Sequence, residues 1–320
     1  MRAPSFAALL ALLSASALLL TSCASSAGGA ETADTTEVET PAGVTIDMPT
    51  EPQAALGFYT TDVDMLITLG FPLADTQPVR DDFSAFPDFF PQEELAGIEV
   101  FGNFPEFNLE KILEVGPDFI LNGLGYDEDL DADLQKIAPT YTYNAFDGAD
   151  WRDSFHQAAV DLGREEQYQA WTDAYEARVA EIRAELDAAG IDPVVADVSF
   201  YEGEVGTSTY GVPALVFSDL GLNISPLMMA DEDGLPAGDG TTFSMEQLGQ
   251  LDEIDVVFGA VNEDGTGLIG EEEALTSNAL WSQLGFVKDG QIHGYNYEMA
   301  YGSPSGQSAF LEVVAKALLG

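Results

Sequence analysis

Arg164–Ala189, REEQYQAWTDAYEARVAEIRAELDAA, decides how the rest of the chain is divided. Tyr168, Trp171, Tyr175, Val179, Ile182 and Leu186 recur at intervals of 3, 4, 4, 3 and 4, which brings them to one face of a helix while Arg and Glu fill the other. No Pro or Gly interrupts the run; Gly163 precedes it, and Gly190 with Pro193 stops it. At about 1.5 Å per residue the rod would be roughly 39 Å long, the span of a small domain. What lies on either side resembles two versions of one unit, so the helix is expected to be a strut joining two lobes. A long surface helix of a single domain would show the same periodicity.

Ahead of the strut, short apolar runs alternate with helical patterns. Ala54–Phe58 reads as a buried strand, and Thr61 with Asp64 fits a capping box opening a helix through Met65, Leu66 and Leu69 to Gly70. Arg80, the only base between Arg2 and Lys111, precedes an aromatic-rich loop holding Phe83, Phe86, Phe89 and Phe90, which either folds back as loop core or lines a cleft. Ile98–Phe101 is another strand; Asn108 caps a helix through Ile112, Leu113 and Val115; Phe119–Leu121 and Tyr141–Tyr143 are further strands, with a helix over Leu130, Leu134 and Ile137 between them. The alternation implies an α/β fold with mainly parallel sheets, whose ligands gather at the carboxyl ends of strands. Gly123 and Gly125 lack the Lys and the spacing of a phosphate loop.

Beyond the strut the order recurs: a strand over Val194–Phe200, a polar aromatic loop over residues 201–210, and a helix over Ala214–Leu220. Ser244-Met245-Glu246-Gln247-Leu248 reads as a capped helix start, with Gln247 completing a capping box, followed by Asp255 and the strand Val256–Phe258. It parallels Asn108-Leu109-Glu110-Lys111-Ile112, followed by Asp118 and Phe119–Leu121.

The amino terminus is of another kind. Met1–Arg2 and the apolar run Phe6–Leu20 read as an export signal over residues 1–22, too short for a stable span. Cys23, the only cysteine, follows Leu20-Thr21-Ser22 in the manner of a bacterial lipobox, so it is the expected lipidation site; an ordinary secreted protein with a stray cysteine is the alternative. No second cysteine exists for a disulfide. Residues 23–45 read as a flexible tether with a reach on the order of 25 Å. The divisions are thus 46–163 for the first lobe, 164–189 for the helix and 190–320 for the second.

Ten Lys and Arg stand against 56 Asp and Glu, a net charge of -46. Nucleic acid is excluded as a partner for want of clustered bases. The field also disfavours anionic ligands. His156 and His293 do not sit in a ligand-spaced cluster, so no metal site is expected, and neither G-x-S-x-G nor a usable cysteine nucleophile appears. A carboxylate-dependent extracellular hydrolase is the alternative from another class, and a surface structural or adhesion protein is a third.

NLEKILEVGPDFIL, QKIAPTY, the strut, SMEQL with DVVF, and Trp281–Val287 with Gly290-Gln291-Ile292 together resemble the substrate-binding lipoproteins of ABC importers for iron-siderophores, haem and cobalamin, over about Ala54–Leu319. The resemblance implies two Rossmann-like lobes bridged by one helix, with the ligand in the cleft between them, no catalysis, no cofactor and a monomer tethered outside the cell membrane. It implies that Glu110 and Glu246 dock on the two permease subunits, although acids favour the first turn of any helix. Its ligand loops point to Tyr59, Arg80, Phe104, Tyr126, Tyr201, Tyr210, Tyr297 and Tyr301. Tyr126 is similar to a tyrosine of the hydroxamate-binding members, whereas Phe104 stands where they carry an Arg. With few bases and many tyrosines, a neutral or cationic ferric chelate fits better than an anionic one, and haem or cobalamin remains the alternative.

Overall fold

The computed structural model describes residues 34–81, 83–201, 203–207, 211–228, 242–261 and 272–320. The chain opens on an antiparallel hairpin, β1 (Thr35–Glu39) and β2 (Thr45–Pro49), with Val38 opposite Ile46. Among the described residues, strand thus begins at Thr35, inside the stretch read as a tether. Val38, Ile46 and Met48 are buried while Glu37, Glu39, Thr45 and Asp47 face solvent, and this alternation is too brief and polar to stand out as a strand.

The first lobe then runs β3 (Ala55–Gly57), α1 (Thr60–Thr68), β4 (Thr76–Val79), β5 (Glu99–Gly102), α2 (Leu109–Val115), β6 (Phe119–Asn122), α3 (Glu128–Leu134), β7 (Thr140–Thr142) and α4 (Trp151–Asp161). Its strands are parallel in the order β3-β6-β7, with Leu56 beside Ile120 and Ile120 beside Thr140; β4 and β5 form a second parallel pair that Leu73 links to Ala55. Helices on the faces leave β3, β6 and β7 buried throughout, hence the apolar runs around Leu56 and over Phe119–Leu121. The aromatic loop after Arg80 is mostly core: Phe83, Phe86 and Phe90 are buried with Val63, Val79 and Leu95.

The strut is α5 (Glu165–Ala189), 25 residues ended by Gly190 in the left-handed conformation. Tyr175, Val179, Ile182 and Leu186 are buried and Tyr168 and Trp171 half-buried, the face that the spacing predicted.

The second lobe contains β8 (Val194–Tyr201), β9 (Glu204–Thr207), α6 (Val212–Leu220), β10 (Asn223–Ile224), β11 (Thr242–Ser244), β12 (Val256–Val261), α7 (Glu272–Ser277), α8 (Gly285–Lys288), β13 (Ile292–Asn296) and α9 (Pro304–Leu319). This sheet too is mainly parallel, with an antiparallel edge. β10, β8, β12 and β13 pair in parallel, but β9 and β11 extend the sheet antiparallel in the order β11-β9-β8-β12-β13. Gly203, at φ 82°, turns the chain so that Glu204 pairs back on Tyr201, making a hairpin of what reads as a loop.

The Ser244 start also differs. Met245–Leu251 is a 3-10 segment broken at Gln247, without a side-chain hydrogen bond from its cap, so the capping box does not form. Gly249, poor at holding a helix, lies inside it.

The two halves keep separate sheets yet share one interior. A single apolar cluster joins Leu66, Leu69 and Phe155 of the first lobe, the buried face of α5, and Phe217, Phe258 and Phe310 of the second. Polar contacts brace the seam. Asp64 of α1 accepts hydrogen bonds from the Ser305 amide and hydroxyl at the start of α9, at 2.7 and 2.6 Å, and the Trp151 indole donates to Gln307 at 2.8 Å. Arg152, gripped by Asp150, reaches Asp219 of α6 at 2.9 Å, where the Tyr175 hydroxyl also donates. Lobes with wholly separate cores, fastened by the rod alone, are therefore not what forms.

Candidate functional site

Each strand of the first lobe contributes to one place through the residues just past its carboxyl end. Tyr59 follows β3, Arg80 follows β4, Phe104 lies two residues past β5, Tyr126 lies in the loop after β6, and Phe146 lies in the loop after β7. From the second lobe, the 3-10 segment Tyr297–Tyr301 after β13 brings Tyr297, Glu298 and Tyr301.

Local chemistry fixes these loops. Helix α1 opens at Tyr59, whose amide donates to Asp62 Oδ2 at 2.9 Å, so its cap lies two residues earlier than the Thr61–Asp64 box expected. Asp64 is thereby released to reach α9. Asp62, fully buried, also accepts from the Gly123 amide at 3.1 Å and, on Oδ1, from the Tyr143 hydroxyl at 2.8 Å, tying three loops together. Burial pushes its carboxyl up to about 6, against the downward pull of those three donors. A Cβ on Gly123 would lie 2.8 Å from Asp62 Oδ1, so only glycine lets the loops approach this closely.

Asn103 is the second organiser. Buried, it donates from Nδ2 to the Phe58 carbonyl at 2.9 Å and accepts from the Asn108 amide at 2.7 Å, fixing the segment that presents Phe104.

The assembled site is an aromatic cleft around one ion pair. Tyr59 meets the rings of Phe104, Phe146 and Tyr301 edge-on at 5.4, 6.4 and 6.2 Å between centroids. Phe146 continues to Tyr126 and to Tyr301, each at 6.2 Å, and Tyr301 to Tyr297 at 6.1 Å. The Arg80 guanidinium lies 5.1 Å from both the Phe104 and Tyr297 ring centres, with Nε 3.6 Å from Glu298 Oε1. Arg80 also donates to the Tyr59 hydroxyl at 3.3 Å, and that hydroxyl donates to Glu298 Oε1 at 3.4 Å. Burial first, then the Glu298 carboxylate, holds the Tyr59 phenol well above its ordinary range, so Tyr59 remains a donor. Tyr126 and Phe146 are 55% and 44% exposed, a solvent-facing rim over buried Tyr59.

The structure thus unites Tyr59, Arg80, Phe104, Tyr126, Tyr297 and Tyr301. The backbone of Tyr201 ends β8, its side chain lies outside the described residues, and Tyr210 and Cys23 lie outside them altogether. Sequence reading missed Phe146, Glu298 and Asn103; an aromatic in a strand-end loop is the signal that could have found Phe146. Glu110 and Glu246 are each exposed at the second position of a short helical segment, one in each lobe. Among the described residues no group of three or more His, Cys, Asp or Glu is placed to hold a metal ion, and His156 stacks at 4.5 Å on Tyr168. A groove of about 440 Å³ along α5, lined in part by Arg152, Trp171, Tyr175 and Asp219, shares no residue with the cleft, and Arg152 there already pairs with Asp150 and Asp219.

A family model described as periplasmic binding protein matches residues 59–297. The chain belongs to the periplasmic binding protein family. This periplasmic binding protein is 23% identical over 257 residues to a Bacillus subtilis (strain 168) protein described as the probable siderophore-binding lipoprotein YfiY, covering 78% of this chain and 77% of that one. Solved structures share the two-lobed fold. A FhuD-fold binding component of a ferrichrome transporter from Bacillus subtilis matches at TM-score 0.69 and 20% identity, over 87% of this chain and 98% of that one. Staphylococcus aureus SirA complexed with staphyloferrin B matches at 0.68 and 19%, over 88% and 98%. The siderophore binding protein of the fuscachelin gene cluster of Thermobifida fusca matches at 0.62 and 26%, over 84% and 98%. Family membership makes the chain a binding protein of an importer rather than an enzyme.

Proposed function

We propose that the chain is the capture subunit of an ABC importer for a ferric-siderophore, neutral or cationic, held outside the cell membrane by lipid on Cys23. The observation that carries this reading is the interlobe cleft itself, in which Tyr59 and Phe146 meet Tyr301 and Arg80 meets Tyr297 of the other lobe, with Phe104 and Tyr126 packed behind them. Rings with hydroxyl edges suit a bulky complex that is greasy on its faces and polar at its rim. The relatives named for siderophores support the same ligand class. Glu110 and Glu246, exposed and one to a lobe, are the residues proposed to meet basic side chains of the permease pair.

The test is a titration of intrinsic tryptophan fluorescence with ferric-siderophores of each charge, haem and cobalamin. Saturable quenching by a ferric-siderophore, with ligand recovered unchanged, is the expected result. Saturation only by haem or cobalamin would move the assignment within the family, and silence toward the whole panel would end it.

A further inference from the structure

Arg80 and Glu298 come from opposite lobes and meet inside the cleft. The Glu298 side chain is wholly buried, whereas Arg80 retains 19% of its surface. The two are joined directly at 3.6 Å and again through Tyr59, which takes a hydrogen bond from Arg80 and gives one to Glu298. Phe104 and Tyr297 both contact the guanidinium, so low-dielectric rings surround the pair. A carboxylate in such surroundings is retained only where a cation and hydrogen bonds compensate its lost hydration.

We propose that Glu298 determines the charge class of chelate this cleft accepts, by engaging the guanidinium that an anionic ligand would need. The inference rests on the ferric-siderophore reading and adds to it a residue and a rule. An anionic chelate has to draw Arg80 away from Glu298 and sit beside a buried negative charge, whereas a neutral chelate disturbs neither. A cationic one gains attraction from the carboxylate. Two like charges about 6 Å apart at an effective dielectric near 20 repel enough to change affinity by tenfold or more, roughly.

The experiment compares the full chain with its Glu298→Gln variant by calorimetric titration against a cationic ferric trihydroxamate (ferrioxamine B), a neutral one (ferrichrome) and an anionic complex (ferric dicitrate). Wild type is expected to bind the cationic or neutral chelate. In Glu298→Gln, affinity for the anionic complex should rise at least about tenfold while the neutral chelate changes less than about threefold. Adding Arg80→Gln to that variant should abolish the gain. If Glu298→Gln does not fold, Glu298→Asp, which withdraws the carboxylate by one methylene, should give a smaller gain in the same direction.

An unchanged preference in variants that still bind, or a parallel loss for all three chelates, overturns the assignment of Glu298 while leaving the siderophore reading intact. Tightest binding of the anionic complex by wild type does the same. Failure of wild type to bind any of the three removes both.

Discussion

Replacing Asp62 by Asn should stabilise the protein at alkaline pH and do little at acid pH. Asp62 is fully buried and faces the amides of Tyr59 and Gly123 and the Tyr143 hydroxyl, with burial holding its carboxyl at about 6 rather than the ordinary 3.8. The folded state therefore keeps a proton that the unfolded chain surrenders between roughly pH 4 and pH 6, so this group's contribution is complete below pH 4 and lost as pH rises through 6. A shift of about two units corresponds to about 3 kcal/mol. Asparagine keeps the shape. Its oxygen takes the two amides, and its NH2 donates to the Tyr143 hydroxyl, which reverses its role.

Urea unfolding followed by tryptophan fluorescence at pH 4.5 and pH 8 would measure the difference. The variant should gain about 2 to 3 kcal/mol at pH 8 and under about 1 kcal/mol at pH 4.5. A loss of stability at pH 8 would refute the reasoning, since three donors would then outweigh desolvation.

Three other outcomes follow from the same molecule. With a net charge of -46, self-repulsion should make the urea midpoint rise on going from low salt to 1 M NaCl, where the screening length falls to about 3 Å; a flat response would mean the charges are already locally balanced. Gly302 sits at φ 89°, with space for its Cβ only 2.6 Å from Trp151 Cγ, so Gly302→Ala should cost about 2 to 4 kcal/mol in urea unfolding, and a cost under about 0.5 would contradict that geometry. Reversing Glu110 and Glu246 together to Arg should abolish transporter-dependent uptake of the bound chelate without weakening its binding; uptake at the wild-type rate would exclude these residues from docking.

How much of this was legible in the chain follows the range of each interaction. The buried face of α5 is written in side chains three and four apart, and the strands of the first lobe in short apolar runs, so both read directly from local pattern. The strand-end position of Tyr59, Arg80, Phe104 and Tyr126 also follows, because a parallel sheet fixes which ends of its strands share an edge. Glu298 was invisible: nothing near it marks an acid that meets a tyrosine 239 positions away. Asn103 was missed for the same reason, as the Phe58 carbonyl it holds lies 45 positions away. Thr61 and Asp64 offered a local box, but Tyr59 and Asp62 won because the Tyr59 amide and the loop at Gly123 both needed the Asp62 carboxylate.

The braced seam has a consequence for how this protein comes apart. Because Asp64 grips the first turn of α9 and one apolar interior runs beneath both sheets, each half loses part of its floor when the other is removed. Melting should be one cooperative event, and deletion of the last sixteen or so residues should disrupt the amino-terminal half as well as the carboxyl-terminal one.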